Sequence, residues 1–152
     1  MIGVFLWSLY YFLTGQKPAE KEESSDGFTT VEDVAIYDLT WSKIDLFHPV
    51  GKTTSARTIT GEELMKQIKA EYPLGEKNRD DYFNYQEMIP EEFKGKTLLF
   101  AGTKRQKYEK FFIPSLEYHD IRGVWSKGNF CLSDNVSLHH NCVPVFKGNI
   151  SN

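Results

Sequence analysis

The most apolar stretch of the chain is its beginning, where residues 2–13 carry no charged side chain. This stretch is too short to span a bilayer comfortably, and it lacks the positive n-region and small-residue exit of a secretory signal. We therefore predict an apolar helix over 1–15 that is buried against another protein domain, with a membrane anchor or a signal as alternatives. Residues 16–29 are rich in charge, Ser, Pro and Gly, which predicts a polar linker.

Beyond the linker, the pattern of apolar and polar positions predicts one compact domain over 30–152. Within 41–47, Ile44 and Leu46 alternate with charged residues, which is the period-two pattern of a half-buried strand. His48 and Pro49 end this strand, because proline cannot donate to the ladder.

The clearest predicted helix begins after a Gly/Thr/Ser-rich loop. Thr60 and Glu63 have the spacing of a capping box, in which each side chain satisfies a free amide at the helix start. Apolar residues then recur on one face, and a Pro/Gly signal ends the helix. The apolar face is predicted from Leu64, Ile68 and Tyr72, and the end of the helix from Pro73 and Gly75.

The second half of the domain alternates between β-prone and helix-prone segments. We predict an ordered loop or short helix over 76–92, a strand over 97–101, a helix over 104–112 that Thr103 caps and Pro114 ends, and strands over 129–132 and 142–146 joined by a turn through Asp134 and Asn135. This order predicts an α+β fold in which a helix packs across a mixed sheet.

Composition adds limits on function. The chain has 152 residues, a net charge of −3 and a pI near 5.8, so it lacks the basic field that drives binding to phosphate backbones, and we expect no nucleic-acid partner. The one dense basic run is interpreted as a solvated helix face. It consists of Lys104, Arg105, Lys107 and Lys110.

No complete catalytic constellation is visible in the sequence. It has no Gly-rich phosphate loop, no metal-spaced Cys pair and no nucleophile elbow, so we predict no catalytic residue, no metal and no cofactor. His119 beside Asp120 is interpreted as an exposed pair rather than as a base with its orienter. Adjacent glutamates on helix starts point in different directions and do not pair as acid and base.

The most catalytic-looking string is His139-His140-Asn141-Cys142. A self-splicing intein ends in a His-Asn pair before Cys, and His48 resembles an upstream histidine of some split inteins. The C-terminal fragment of a split intein is therefore an alternative function. A papain-like cysteine is disfavoured, because Val143 and Pro144 favour extended chain and deny the thiol a helix dipole.

The two cysteines leave a third alternative. Cys131 and Cys142 fall on segments predicted to be neighbouring strands, and we expect reduced, half-buried thiols in a cytosolic protein. In the alternative, a membrane-anchored or secreted small domain has a disulfide between them. Glycosylation sequons at Asn135 and Asn149 are relevant only in that case.

Taken in order, these segments resemble the C-terminal end of the ubiquitin-activating enzymes. The resemblance covers an apolar helix with an aromatic pair, a Trp-bearing first strand, a Thr-capped helix, a Leu-Leu-aromatic strand, a Lys-rich helix followed by a Pro turn, and two closing strands with an acidic turn. The matching segments are 9–18, 40–46, 59–69, 98–100, 104–107, 113–116, 130–134 and 143–146.

The resemblance implies a β-grasp-like, ubiquitin-fold domain that recruits a ubiquitin-conjugating enzyme in the cytoplasm or the nucleus and contributes no catalytic residue. It places the partner contacts at a sheet edge and on the closing strands. The implied contact residues are Asn129, Cys131, Asp134, His140 and Cys142. Of these only Asp134 is acidic where the family has several acids, which implies an altered partner preference.

Overall fold

A computed structural model describes residues 26–34 and 43–147 as a mixed α+β domain. The predicted helix over 1–15, the linker up to residue 25, and Trp41 lie outside the described residues. Within the two described ranges, no helix is long and apolar enough to cross a membrane. Thr29, predicted as the last linker residue, already begins the first strand.

Residues 26–34 and 43–147 form nine strands and two α-helices. The strands are β1 (Thr29–Glu32), β2 (Ile44–Phe47), β3 (Thr58–Thr60), β4 (Thr97–Leu99), β5 (Lys104–Lys107), β6 (Lys110–His119), β7 (Val124–Cys131), β8 (Asn135–Ser137) and β9 (Asn141–Phe146). The helices are α1 (Gly61–Gln67) and α2 (Glu76–Asn84), with short 3-10 turns at Ile68–Ala70, Gln86–Met88 and Glu91–Phe93.

Strand β6 organises the sheet. On one side, its first residues pair with β5 and its later residues with β4, both antiparallel, and on the other side it pairs with β7. Strand β4 continues to β9 in the one parallel pairing of the described strands, and β9 continues to β2. Strand β1 extends the β5 end, while β3 and β8 form a separate two-stranded ladder.

Both faces of the sheet are buried. Successive residues of a strand point to opposite faces, and on β4 both Leu98 and Leu99 are 0% exposed. Leu98 belongs to a core that includes Tyr82 of α2, whereas Leu99 belongs to a second core that includes Leu64 of α1. The sheet therefore lies between two layers, instead of carrying a helix on one face as predicted.

The predicted capping box of α1 is confirmed. The Glu63 amide donates to the Thr60 hydroxyl oxygen over 3.1 Å, and the Thr60 amide donates to the Glu63 carboxylate over 3.3 Å. Leu64 and Ile68 are buried as expected, but Tyr72 lies beyond the helix and is exposed. A Cβ on Gly61 would lie 2.2 Å from the Leu132 carbonyl oxygen, so the helix start presses against the chain that follows β7.

The helix predicted over 104–112 is wrong. These residues form the β5–β6 hairpin, in which Arg105 pairs with Phe112 and Lys107 pairs with Lys110. Pro114 lies within β6, between the part that pairs with β5 and the part that pairs with β4, and its carbonyl accepts the Phe100 amide over 2.8 Å. A proline is tolerated there because no ladder donor is required at that position.

The other predicted segments are closer to the structure. The described part of the first predicted strand forms β2, with Ile44 and Leu46 packed against the core and Asp45 exposed. Residues 76–92, predicted as an ordered loop or short helix, contain α2 and two 3-10 turns. The closing strands exist as β7 and β9, but β7 begins earlier than predicted, at Val124.

Candidate functional site

The structure does not gather the five predicted contact residues into one surface. Asn129 and Cys131 lie on β7, Asp134 follows in the turn to β8, His140 precedes β9, and Cys142 lies on β9. Strands β6 and β4 separate β7 from β9. The prediction that the two cysteines lie on neighbouring strands is therefore wrong, and both cysteines are free, which contradicts the disulfide alternative.

Cys142 is part of the core. It is fully buried, its thiol donates weakly to the Thr97 carbonyl at 3.9 Å, and burial raises the pKa of the thiol to about 12. A partner docked on the folded domain does not reach this side chain. A thiol that stays protonated is also a poor nucleophile, so this geometry favours neither a papain-like cysteine nor a splicing one.

The residues around Cys142 are built into the sheet in the same way. The buried Asn141 side chain accepts the Ser137 amide over 2.6 Å, and the His140 carbonyl accepts the Thr97 amide over 2.7 Å. The Asn141–Cys142 bond that an intein would break lies at the start of a fully buried strand. The split-intein alternative gains no support from this arrangement.

His119 contacts a serine rather than Asp120. Its Nε2 atom lies 2.6 Å from the hydroxyl of Ser126, on the paired strands β6 and β7. A Ser–His pair acts as a nucleophile and base when a third group orients the imidazole. Among the described residues no carboxylate forms an ion pair with this ring, and we interpret the contact as a cross-strand hydrogen bond.

Strand β7 offers the longest open edge of the described sheet. It has eight residues and pairs with β6 alone. The Trp125 amide donates to the Gln86 side-chain oxygen over 3.0 Å, and the Trp125 carbonyl accepts from the Gln86 amide at 3.4 Å. The N–H and C=O groups of Trp125 therefore point away from β6. Because this direction alternates along a strand, the N–H and C=O groups of Lys127 and Asn129 lie on the same outer edge.

Exposed apolar side chains lie beside the Trp125 end of this edge. The 3-10 turn that contains Gln86 also exposes Met88, at 57%, and follows Tyr85, which is 56% exposed. Val124, the first residue of β7, is 44% exposed. An open backbone edge flanked by apolar side chains can offer both hydrogen bonds and apolar area to a partner.

A buried ionic cluster fixes the middle of β7. Arg79 donates to the Gly128 carbonyl over 3.2 Å and pairs with Glu76 at 3.1 Å. Arg105, only 2% exposed, reaches the Asn129 side chain at 3.2 Å and Glu76 at 3.3 Å. Desolvation raises the pKa of Glu76 despite these two guanidinium groups. The Asn129 side chain is thereby held against the domain by its hydrogen bond to Arg105.

Sequence reasoning identified Asn129 but missed the edge and its supporting cluster. A local signal for the edge existed, because Lys127, Gly128 and Asn129 are poor formers of a central strand and lysine is common on edge strands. The cluster had no such signal, since Glu76 and Arg79 of α2 meet Arg105 of β5 only when α2 packs against β6 and β7.

No protein-family model matches this chain, and comparison with curated proteins and with solved structures finds no significant relative. What can be said of its function therefore depends on its own residues and their geometry.

Proposed function

We propose that this domain is a protein-binding module that accepts an extended segment of its partner along the outer edge of β7. The observation that carries the proposal is the eight-residue edge strand, whose outward backbone groups at Lys127 and Asn129 face away from the sheet while Gln86 occupies those of Trp125. In strand addition, main-chain hydrogen bonds supply affinity and alternate side chains supply specificity. The exposed Val124, Tyr85 and Met88 supply apolar contacts at one end.

The edge is rigid enough to act as a template. Gln86 holds Trp125 in place, and Arg79 holds Gly128, so the strand does not have to order itself when a partner arrives. Preorganisation of this kind lowers the entropic cost of binding. At the far end of β7, the Cys131 carbonyl accepts the Asp134 amide over 3.0 Å, and the turn formed by this bond ends the edge.

As the partner we propose a ubiquitin-conjugating enzyme in the cytoplasm or nucleus, because the sequence resembles the ubiquitin-activating enzymes. Asn129, Cys131 and Asp134 remain the proposed contact residues, because they lie on β7 and in the turn that follows it. His140 lies apart from them, and Cys142 is buried. A mixed sheet with a helix across it supports a β-grasp-like arrangement, whereas the presence of a helix on each face of the sheet departs from it.

The experiment compares Lys127→Pro with Lys127→Ala. Both variants lose the lysine side chain, but only the proline removes the outward N–H that a partner strand would use. Pull-down against a panel of ubiquitin-conjugating enzymes is expected to capture at least one with the wild-type chain and the alanine variant, and to lose it with the proline variant. Matching thermal unfolding curves establish that both variants are folded.

Two outcomes separate the parts of this proposal. If no conjugating enzyme binds above background, the proposed partner is wrong. If one binds but the proline variant binds it equally well, the β7 edge is not the docking site. Hydrogen exchange of the Lys127 and Asn129 amides in the complex gives an independent check, since strand addition is expected to slow both.

A further inference from the structure

The open backbone groups of β7 form a short run that is bounded at both ends. On the outer edge, no described strand pairs with Lys127 and Asn129. On one side of them, the Gln86 side chain occupies the N–H and C=O groups of Trp125. On the other side, the Cys131 carbonyl accepts the amide that begins the turn to β8.

A second copy of β7 matches this run when it lies antiparallel about a two-fold axis at Gly128. Each Lys127 then lies opposite Asn129 of the second copy, and every such pair exchanges two main-chain hydrogen bonds. Gly128 lies opposite itself at a non-hydrogen-bonded position, where side chains approach most closely and glycine has none. One pair further out, Trp125 lies opposite Cys131 of the second copy.

The charges along β7 are compatible with this register. Lys127 is the one charged residue of the strand, and opposite Asn129 it meets no like charge. Its ammonium lies 3.8 Å from the Asp80 carboxylate and 5.0 Å from the Phe83 ring, both on α2 of its own domain. The ion-paired groups behind the edge also balance, with three cations and three carboxylates, namely Arg79, Arg105, Lys127, Asp26, Glu76 and Asp80.

Gln86 stands where the second copy would arrive. Its side-chain amide accepts from the Trp125 N–H over 3.0 Å and donates to the Trp125 C=O at 3.4 Å. These are the two bonds that Cys131 of the second copy would make in this register. A side-chain amide has the donor and acceptor of a peptide group, so Gln86 mimics one residue of an added strand. The longer bond is weak, and the contact can be exchanged.

The edge strand β2 is guarded in a similar way. The Lys43 carbonyl accepts the Lys147 amide over 2.7 Å, so by alternation the Leu46 amide points away from β9. The Asp45 carboxylate accepts this outward amide over 2.8 Å. Unpaired edge groups are templates for association with another chain, and polar side chains on an edge restrict it. At β7 the guard covers one residue and leaves two outward residues open.

We propose that β7 pairs with β7 of a second copy of this chain about a two-fold axis at Gly128, and that Gln86 restricts this pairing. The exposed Tyr85 and Met88 flank the place where Cys131 of the second copy arrives, and they supply apolar area. The inference rests on the open β7 edge of the proposed function. Self-pairing withdraws that edge from any other partner, so it regulates the same site.

The first test measures dimerisation of the full chain by analytical ultracentrifugation. Each dimer displaces two Gln86 side chains, and Gln86→Ala has no such contact to break. The variant is expected to dimerise about fivefold more tightly than wild type per displaced side chain, ~25-fold in all. The matched control is Glu87→Ala, an exposed residue of the same turn, which is expected to behave like wild type.

The second test locates the interface with two double variants. Gln86→Ala combined with Lys127→Pro lacks the outward N–H at the centre of the ladder, and it is expected to be monomeric. Gln86→Ala combined with Lys127→Ala keeps that N–H, and it is expected to dimerise. Matching thermal unfolding curves establish that both double variants are folded.

Three results overturn the proposal: a Gln86→Ala chain that is monomeric at about 1 mM, one that dimerises no more tightly than wild type, or a dimer that the proline leaves intact. The two proposals for β7 also fail separately. If a conjugating enzyme binds in a proline-sensitive way and no variant dimerises, only self-pairing is wrong. If Gln86→Ala dimerises in a proline-sensitive way and no conjugating enzyme binds, only the proposed enzyme partner is wrong.

Discussion

At the scale of single residues, the most constrained part of the molecule is the cluster around Glu76. Its carboxylate meets both Arg79 and Arg105, two guanidinium groups that are almost fully buried. Burial of such a group is costly unless partners compensate for lost hydration. Here desolvation outweighs the two positive charges, because the pKa of Glu76 is raised above its ordinary value of 4.5.

This raised pKa predicts a pH dependence. A carboxyl that binds its proton more tightly in the folded state contributes stability that is present below pH 4.5 and is lost as the pH rises through the raised pKa. The Glu76→Gln variant has no carboxyl to ionise at this position, so it does not lose this stability as the pH rises. The free energy of unfolding of the variant, relative to wild type, is therefore expected to increase from about pH 4.5 to neutral pH, as measured by urea unfolding at several pH values.

The matched control is Glu92→Gln, which removes one negative charge from an exposed position. A difference between Glu76→Gln and wild type that stays constant with pH, or that decreases as the pH rises, would contradict the stated direction of the Glu76 shift.

At the scale of elements, the β5–β6 hairpin and helix α1 show opposite relations to local sequence. Helix α1 begins where its capping box predicts, because Thr60 and Glu63 lie three residues apart and act on the same turn. The hairpin has no local turn signal, since Tyr-Glu is not a favoured pair for two left-handed positions. Pairing with β1 and β4 holds the hairpin in place despite its turn.

The strained turn gives a stability prediction. Replacing Tyr108 and Glu109 together by Asn and Gly is expected to stabilise the domain by about 2 kcal/mol, because both new residues adopt positive φ at lower cost. The control replaces both residues by Ala, which removes the same side chains but keeps the strain. Urea unfolding distinguishes the two, and equal stability of the two variants would mean that the turn is not strained.

At the scale of the whole molecule, burial of both sheet faces is the defining feature. α1 and the β3–β8 ladder contribute to one core, and α2 with its following 3-10 turns contributes to the other. Neighbouring residues of β4 therefore belong to different cores. In a sheet covered on one face, one of every two neighbours would face solvent.

Two substitutions test this arrangement. Leu98→Ala and Leu99→Ala are each expected to lower the free energy of unfolding by about 3 kcal/mol, because each truncates a fully buried side chain. Val124→Ala on the open end of β7 is the exposed control and is expected to change stability little. A cost below about 1 kcal/mol for either leucine would mean that its face of the sheet is open to solvent.

The candidate site was predictable only in part. Asn129, Cys131 and Asp134 lie on β7 and the turn after it, close to where the sequence placed them. Their separation from His140 and Cys142 was not predictable, because it depends on β6 and β4 lying between β7 and β9. The order of strands in a sheet is set by pairings between distant residues, and the alternation of a single strand contains no information about its neighbours.

By itself, the sequence determined the local features of this protein: the α+β class, the capping box that begins α1, the alternation in β2 and the existence of the closing strands. Each depends on residues a few positions apart, where periodicity and side-chain-to-backbone hydrogen bonds act directly. Only the tertiary structure decided that 104–112 is a hairpin, that Cys142 is buried and that β7 is an open edge. These properties follow from which segments pack together, and that choice minimises exposed apolar area and unpaired backbone over the whole chain rather than within a segment.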